Sequence, residues 1–151
     1  MRYKLPFLCI CLGIVASIAF PASGVPTLST TSTTVSTSLD LDGEGNASTH
    51  IVKVADITIA THNSRGFTLT LTSASLTKSD GNDIDLQITT VSNDAGVPSN
   101  GDFTVPSGHT YTYVTETDGS ENRDVYIRYT PDHLQDPGTY SASIRISVVD
   151  N

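Results

Sequence analysis

The densest set of oxygen ligands in the chain is the run Asp40-Leu41-Asp42-Gly43-Glu44-Gly45-Asn46. Side-chain oxygens at alternate positions, with Gly in the sixth place, match the opening of a calcium-binding loop. Such a loop closes with a bidentate Glu in its twelfth place, and here that place holds Ile51. A solvated Gly-rich hairpin is therefore the first reading of Asp40, Asp42, Glu44 and Asn46, with calcium as the alternative. No other cofactor is expected. Asp80, Asp83 and Asp85, around Gly81-Asn82, read the same way. The four histidines, His50, His62, His109 and His133, lack the close spacing that puts two ring nitrogens on one metal. No Gly-x-Ser-x-Gly nucleophile turn and no Gly-rich phosphate loop occurs. A non-enzymatic protein is expected on these grounds.

The elements that must position these residues follow a different kind of sequence. Arg2 and Lys4 precede an almost entirely apolar stretch, residues 5–20, and then Pro21-Ala22-Ser23-Gly24. That order reads as a secretory leader, residues 1–24, cut after Gly24. The apolar stretch is shorter than the about 20 residues a bilayer span needs, so no stable membrane span is expected after cleavage. Cys9 and Cys11 both lie inside the leader, so the processed chain is thiol-free. It would carry 6 basic and 16 acidic side chains, a net charge of -10. That charge argues against a nucleic-acid partner, which needs clustered Lys and Arg. A secreted, periplasmic or cell-surface location is expected, in a bacterial host. Asn46-Ala47-Ser48 would accept an N-glycan only in a eukaryotic route.

Of the 127 residues from Val25 on, 38 are Ser or Thr. Residues 25–32 hold little to bury and read as a Ser/Thr-rich linker. From Thr33 the pattern alternates, with Val35, Leu39 and Leu41 on one face of an expected strand over 33–41. Further strands are expected over 50–60, 67–72, 84–88, 111–115, 124–129 and 140–148. The apolar register of the 50–60 segment changes parity, which predicts a bulge near Ala55-Asp56. Arg123, Arg128 and Arg145 are expected to face outward. Seven to nine short strands with turn signals about every ten residues predict an all-β, immunoglobulin-like antiparallel β-sandwich over residues 33–151.

Asp136-Pro137-Gly138-Thr139-Tyr140 stands just before the last strand. Asp136, Gly138 and Tyr140 resemble the tyrosine corner of immunoglobulin-like sandwiches, where a Tyr hydroxyl bonds back to upstream backbone. The alternative is a plain Pro-Gly turn carrying a core Tyr. The run from Arg123 through Thr130-Pro131 to Asp136-Pro137-Gly138-Thr139-Tyr140-Ser141 and the last alternating strand is similar to the end of bacterial fimbrial subunits. The spore-coat-U-like proteins and archaic chaperone–usher pilins are the nearest in pattern. Residues 55–73, with Asn63 before Gly66-Phe67, resemble a strand–turn–strand unit of the same secreted domains. The likeness covers residues 56–149 in pattern and about thirty residues in motif.

That resemblance implies an incomplete sandwich whose missing last strand is donated by a neighbouring subunit. Val35, Leu39 and Leu41 would then be the donor strand, and the partners would be the protein itself or related subunits. Such pilins usually carry a disulfide, which this chain lacks. The expected function is a structural or adhesive cell-surface protein of fimbrial type. The alternative is a self-complete extracellular module for calcium or glycan, built on the loop at 40–44 or on the loop at 93–102.

Overall fold

The computed structural model describes residues 12–16, 25–42 and 47–151, the first of these as backbone alone. Its strands are β1 (Leu12–Ala16), β2 (Thr27–Ser32), β3 (His50–Thr61), β4 (Phe67–Ser73), β5 (Gln87–Ser92), β6 (Thr110–Val114), β7 (Gly119–Tyr129) and β8 (Ala142–Asp150). From β2 onward they form two antiparallel sheets. One has the order β2-β3-β7-β5 and the other β8-β4-β6. β1 lies parallel on the free side of β8. The only helical elements among the described residues are two 3-10 turns, at Thr34–Thr37 and Asn100–Asp102.

Period-two alternation builds the core. Along β4, Phe67, Leu69 and Leu71 are buried while Thr68, Thr70 and Thr72 are half exposed. Ala142, Ile144 and Ile146 of β8 point the same way. Ile57 and Ile59 of β3, Val125 and Ile127 of β7 and Ile88 of β5 meet them from the other sheet. Each fully buried aliphatic side chain contributes about 1.5–3 kcal/mol relative to exposure. The parity change in β3 is a bulge, with the register slipping between Lys53 and Ala55 so that Val54 and Ala55 are both buried. It sits one step earlier than the expected position.

Three expectations need correction. Residues 25–32 are not a linker, because Thr27–Ser32 forms β2, antiparallel to β3. Its one large apolar residue, Leu28, packs on the core, and the β-branched Thr residues suit a polar edge strand. Residues 33–41 are not a strand. The Ser36 hydroxyl donates to Thr33 O at 2.6 Å and the Thr37 hydroxyl to Thr34 O at 2.9 Å, closing a 3-10 turn. These local hydroxyl–carbonyl bonds compete with a sheet ladder and win. The expected strand over 84–88 begins instead at Gln87. Ile84 only exchanges a backbone pair with Leu76, at 2.8 and 2.9 Å.

Arg123 also departs from expectation. It is 6% exposed and faces inward. Its Nε donates to Thr90 Oγ1 at 2.9 Å, its Nη2 to Thr90 O at 3.1 Å, and its Nη1 to Glu121 at 3.3 Å. The guanidinium lies 3.6 Å from the centroid of the Tyr113 ring. Tyr113 donates to both Glu121 oxygens at 3.0 and 2.9 Å, and Tyr111 lies 3.0 Å from Thr90 Oγ1. This network runs from β6 in one sheet to β5 and β7 in the other. It closes one long side of the sandwich with polar and aromatic groups.

On the outer face of the β2-β3-β7-β5 sheet, Asp124 is 3% exposed and opposes Asp56 across β3 and β7. Lys53 Nζ sits between them, 2.6 Å from Asp56 and 2.9 Å from Asp124 Oδ1. That Asp124 oxygen has no other partner among the described residues. Hydrogen bonds to Asp56 and then Asp124 raise the Lys53 pKa above its ordinary value of 10.5. The stabilisation is therefore complete below that value and is lost as pH rises through the folded one. Lys53→Met should cost about 2–3 kcal/mol, read by urea unfolding at neutral pH, because it strands a buried carboxylate. Lys53→Met with Asp124→Leu should recover most of that loss.

Candidate functional site

β8 is fixed at both ends and along one edge, which makes its other edge the informative one. Ahead of it, the buried Tyr140 donates from its hydroxyl to Asp136 O at 3.0 Å and accepts from Gln135 Nε2 at 2.6 Å. Asp136 Oδ2 accepts the Asn82 N–H at 3.2 Å, which ties this corner to the 78–82 turn. Gly138 has φ +139, and a Cβ there would stand 2.9 Å from Lys78 Cε. The backbone conformation favours glycine at that point, whereas the flexible Lys78 side chain could move aside. The Tyr140 hydroxyl thus bonds back to backbone four residues upstream, across the turn that holds Gly138.

The far end is clamped by Asn151. Its Nδ2 donates to Thr115 O at 2.7 Å and Arg65 O at 3.0 Å, and its Oδ1 accepts from Thr68 at 2.6 Å. Asn63 Nδ2 reaches Asn151 O at 2.7 Å. Along one edge β8 pairs with β4, from Ser73↔Ile144 to Phe67↔Asp150. Along the other it pairs with β1 in parallel register, from Leu12↔Ala142 to Ala16↔Ile146. β1 also approaches β2 of the opposite sheet. It thus covers the long side of the sandwich away from Arg123. The strand that does so belongs to the apolar stretch read as a leader; the cut after Gly24 lies outside the described residues.

The residues expected to donate a strand are placed elsewhere. Leu39 is 5% exposed in its own core and Leu41 packs beside it, while Val35 is 44% exposed on the 3-10 turn. Tyr129 donates to Asp40 O at 3.0 Å, holding this segment against β7. Thr33 Oγ1 and Thr33 N bind the bulge carbonyls of Lys53 and Val54, at 2.8 and 2.9 Å. Leu39 and Leu41 are therefore committed to their own core, and Val35 lies on a 3-10 turn rather than on a strand.

Of the oxygen-rich run, Glu44 and Asn46 lie outside the described residues, as does the turn at 43–46. Asp40 and Asp42 use their carboxylates locally. Asp40 Oδ1 accepts the Asp42 N–H at 2.9 Å, and Asp42 Oδ2 accepts the Ser48 N–H at 2.6 Å. Asp42 Oδ1 is 2.9 Å from His50 Nε2. The His50 ring stacks on Tyr129 at 5.1 Å, and His62, His109 and His133 are exposed. Among the described residues no group of three or more His, Cys, Asp or Glu is arranged to hold a metal. Tyr111 and Tyr113 are half-buried and pack against the core.

Sequence reasoning missed the two clamps of β8 other than Tyr140. Asn63 and Asn151 carried no signal beyond being turn and terminal residues. No protein-family model matches this chain, and no curated protein matches it.

Burial pushes the Asp42 carboxyl up, but the Ser48 N–H and the bond and field of His50 outweigh it, leaving it below the ordinary 3.8. A lowered folded pKa gives stability that is present above the unfolded value and lost as pH falls through the folded one. Asp42→Ala should therefore destabilise the protein at pH 6–7. The gap to the unsubstituted protein should shrink below about pH 4. Thermal melts at the two pH values check this.

Proposed function

We propose that this chain is an exported, non-enzymatic β-sandwich of immunoglobulin type. It serves as a structural or adhesive subunit at the cell surface and is completed by a strand from a related subunit. The observation that carries the reading is the parallel pairing of β1 with β8. In space the order β2-β3-β7-β5 matches A-B-E-D of an immunoglobulin domain, and β4 and β8 take the places of C and F. β6 pairs beyond β4 but follows β5 in the chain, a departure from immunoglobulin connectivity. Tyr140 then stands at the E–F corner, where such domains place it. The seventh position, G, is the one β1 occupies.

Removal of a leader cut after Gly24 takes β1 away. It leaves the N–H and C=O groups of β8 unpaired along one edge and uncovers that side of the apolar core. An uncovered edge of this kind recruits a strand. Since residues 27–41 serve their own sandwich, the strand comes from a different chain. The resemblance to spore-coat-U-like proteins and archaic pilins supports the same arrangement through the Asp136–Tyr140 corner and the strand after it.

The test uses the chain beginning at Val25 and a soluble peptide containing residues 12–16. The peptide should bind and raise the urea midpoint, by about 2.7 kcal/mol of stability at a hundredfold excess over its Kd. The chain without peptide should self-associate or unfold more readily. A stable monomer indifferent to the peptide would remove the strand-acceptor reading.

A further inference from the structure

The other sheet holds a cleft of about 590 Å³, within the range of small-molecule sites. Asp85, Gln87, Asn100, Ser107, Arg128 and Thr130 are among the residues that line it. Gln87 is held rigidly, its Nε2 donating to Phe103 O at 3.2 Å and Val105 O at 3.1 Å. Its side-chain oxygen accepts from Arg128 Nη2. Arg128 Nη1 donates to Asn100 O at 2.7 Å, and its guanidinium lies 5.4 Å from the centroid of the Phe103 ring. Every hydrogen-bond partner of this cation among the described residues is neutral. None of the ion pairs among the described residues includes Arg128.

A guanidinium carries five N–H donors in a fixed fork, and two are spent here. The rest are available to the planar, bidentate acceptor that such a fork fits, a carboxylate. Around it the cleft presents small hydroxyls and one acid. Ser107 Oγ accepts the Leu86 N–H at 3.2 Å and lies 3.4 Å from Ser75 Oγ, which leaves it a lone pair to accept a ligand hydroxyl. Thr130 Oγ1 pairs with Thr49 Oγ1 at 2.9 Å, and one proton of that pair is free. Asp85 Oδ1 accepts from Ser75 at 3.1 Å, and its other oxygen is available to a ligand hydroxyl. Pro106 adds an apolar wall.

We infer that this cleft binds an acidic sugar unit of the uronic-acid class. Its carboxylate lies on Arg128, and its hydroxyls lie between Asp85 and the Ser107 and Thr130 hydroxyls. The cleft belongs wholly to this chain's own residues and not to the β8 edge. Failure here leaves strand donation untouched, and the reverse also holds.

The full exported chain, isotopically labelled, would be titrated with methyl β-glucuronide, methyl β-glucoside and acetate, following backbone amide shifts. The glucuronide should bind in the millimolar range, with shifts centred on residues 85–87, 107 and 128–130. The glucoside and acetate should each bind at least tenfold more weakly. Arg128→Lys should narrow the preference for glucuronide over glucoside. Thr130→Val, on the exposed rim, should weaken glucuronide about threefold without moving the melting temperature. No glucuronide binding up to about 50 mM, equal binding of the glucoside, acetate as good as the glucuronide, or shifts centred elsewhere would each overturn the inference.

Discussion

A two-sheet sandwich has two long sides, and both must be shut before its apolar interior is dry. One sheet here ends on β5 and β2, the other on β6 and, but for the added β1, on β8. On the β5/β6 side the chain uses Arg123, Tyr113, Tyr111, Thr90 and Glu121, whose bonds cross from sheet to sheet. A cation buried to this depth is tolerable because its Nε, Nη1 and Nη2 all have acceptors and its face lies on an aromatic ring. On the β2/β8 side a strand performs that task, and it comes from the far N-terminal end of the sequence.

β8 is held by more than its pairing with β1. The Tyr140 corner, the Asn151 clamp and the β4 ladder fix three of its boundaries. The fixing groups are largely hydroxyls and amides rather than covalent links. A chain without cysteine beyond its first eleven residues must order its turns by such bonds. Each contributes only about 1 kcal/mol net, so many are needed. The abundance of Ser and Thr fits that requirement. Pairs such as Thr70–Ser147 at 2.5 Å and Thr61–Asp150 at 2.5 Å stitch β8 and its neighbours from the outside and the end.

The same abundance explains what could and could not be read from the residues. Phe67, Leu69 and Leu71 alternate with threonines, and only one sheet face can bury them, so β4 was legible at once. The shift from Val52 and Val54 to Ile57 and Ile59 announced the bulge. Asp136-Pro137-Gly138-Thr139-Tyr140 marked a turn ahead of the last strand, and its Tyr hydroxyl bonds back to Asp136 O. Residues 33–41 alternate equally well but fold as a turn, since Ser36 and Thr37 satisfy the backbone locally. β2 was hidden because an edge strand needs only Leu28 to anchor it. Arg123 was misplaced because nothing local tells that Tyr113 and Thr90 converge on it from other strands. Asp85, Asn100 and Arg128, distant in sequence, form a cleft only once β5 and β7 pair.

The parallel sense of β1 carries a further consequence. Parallel neighbours in one sheet cannot be joined by a tight turn and need a long crossover. Between β1 and β8 the connection is almost the whole domain. The loop-closure cost grows only slowly with such length, so the covalent link makes the N-terminal strand effectively concentrated at its site without shaping how it sits there. The geometry of the β8 edge is therefore indifferent to whether its occupant is tethered. Cutting the tether changes the molecularity of the pairing and leaves its hydrogen bonds available to any apolar strand that can reach them. The closure of the sandwich is thus set by the β8 edge and not by the connection that carries β1 to it.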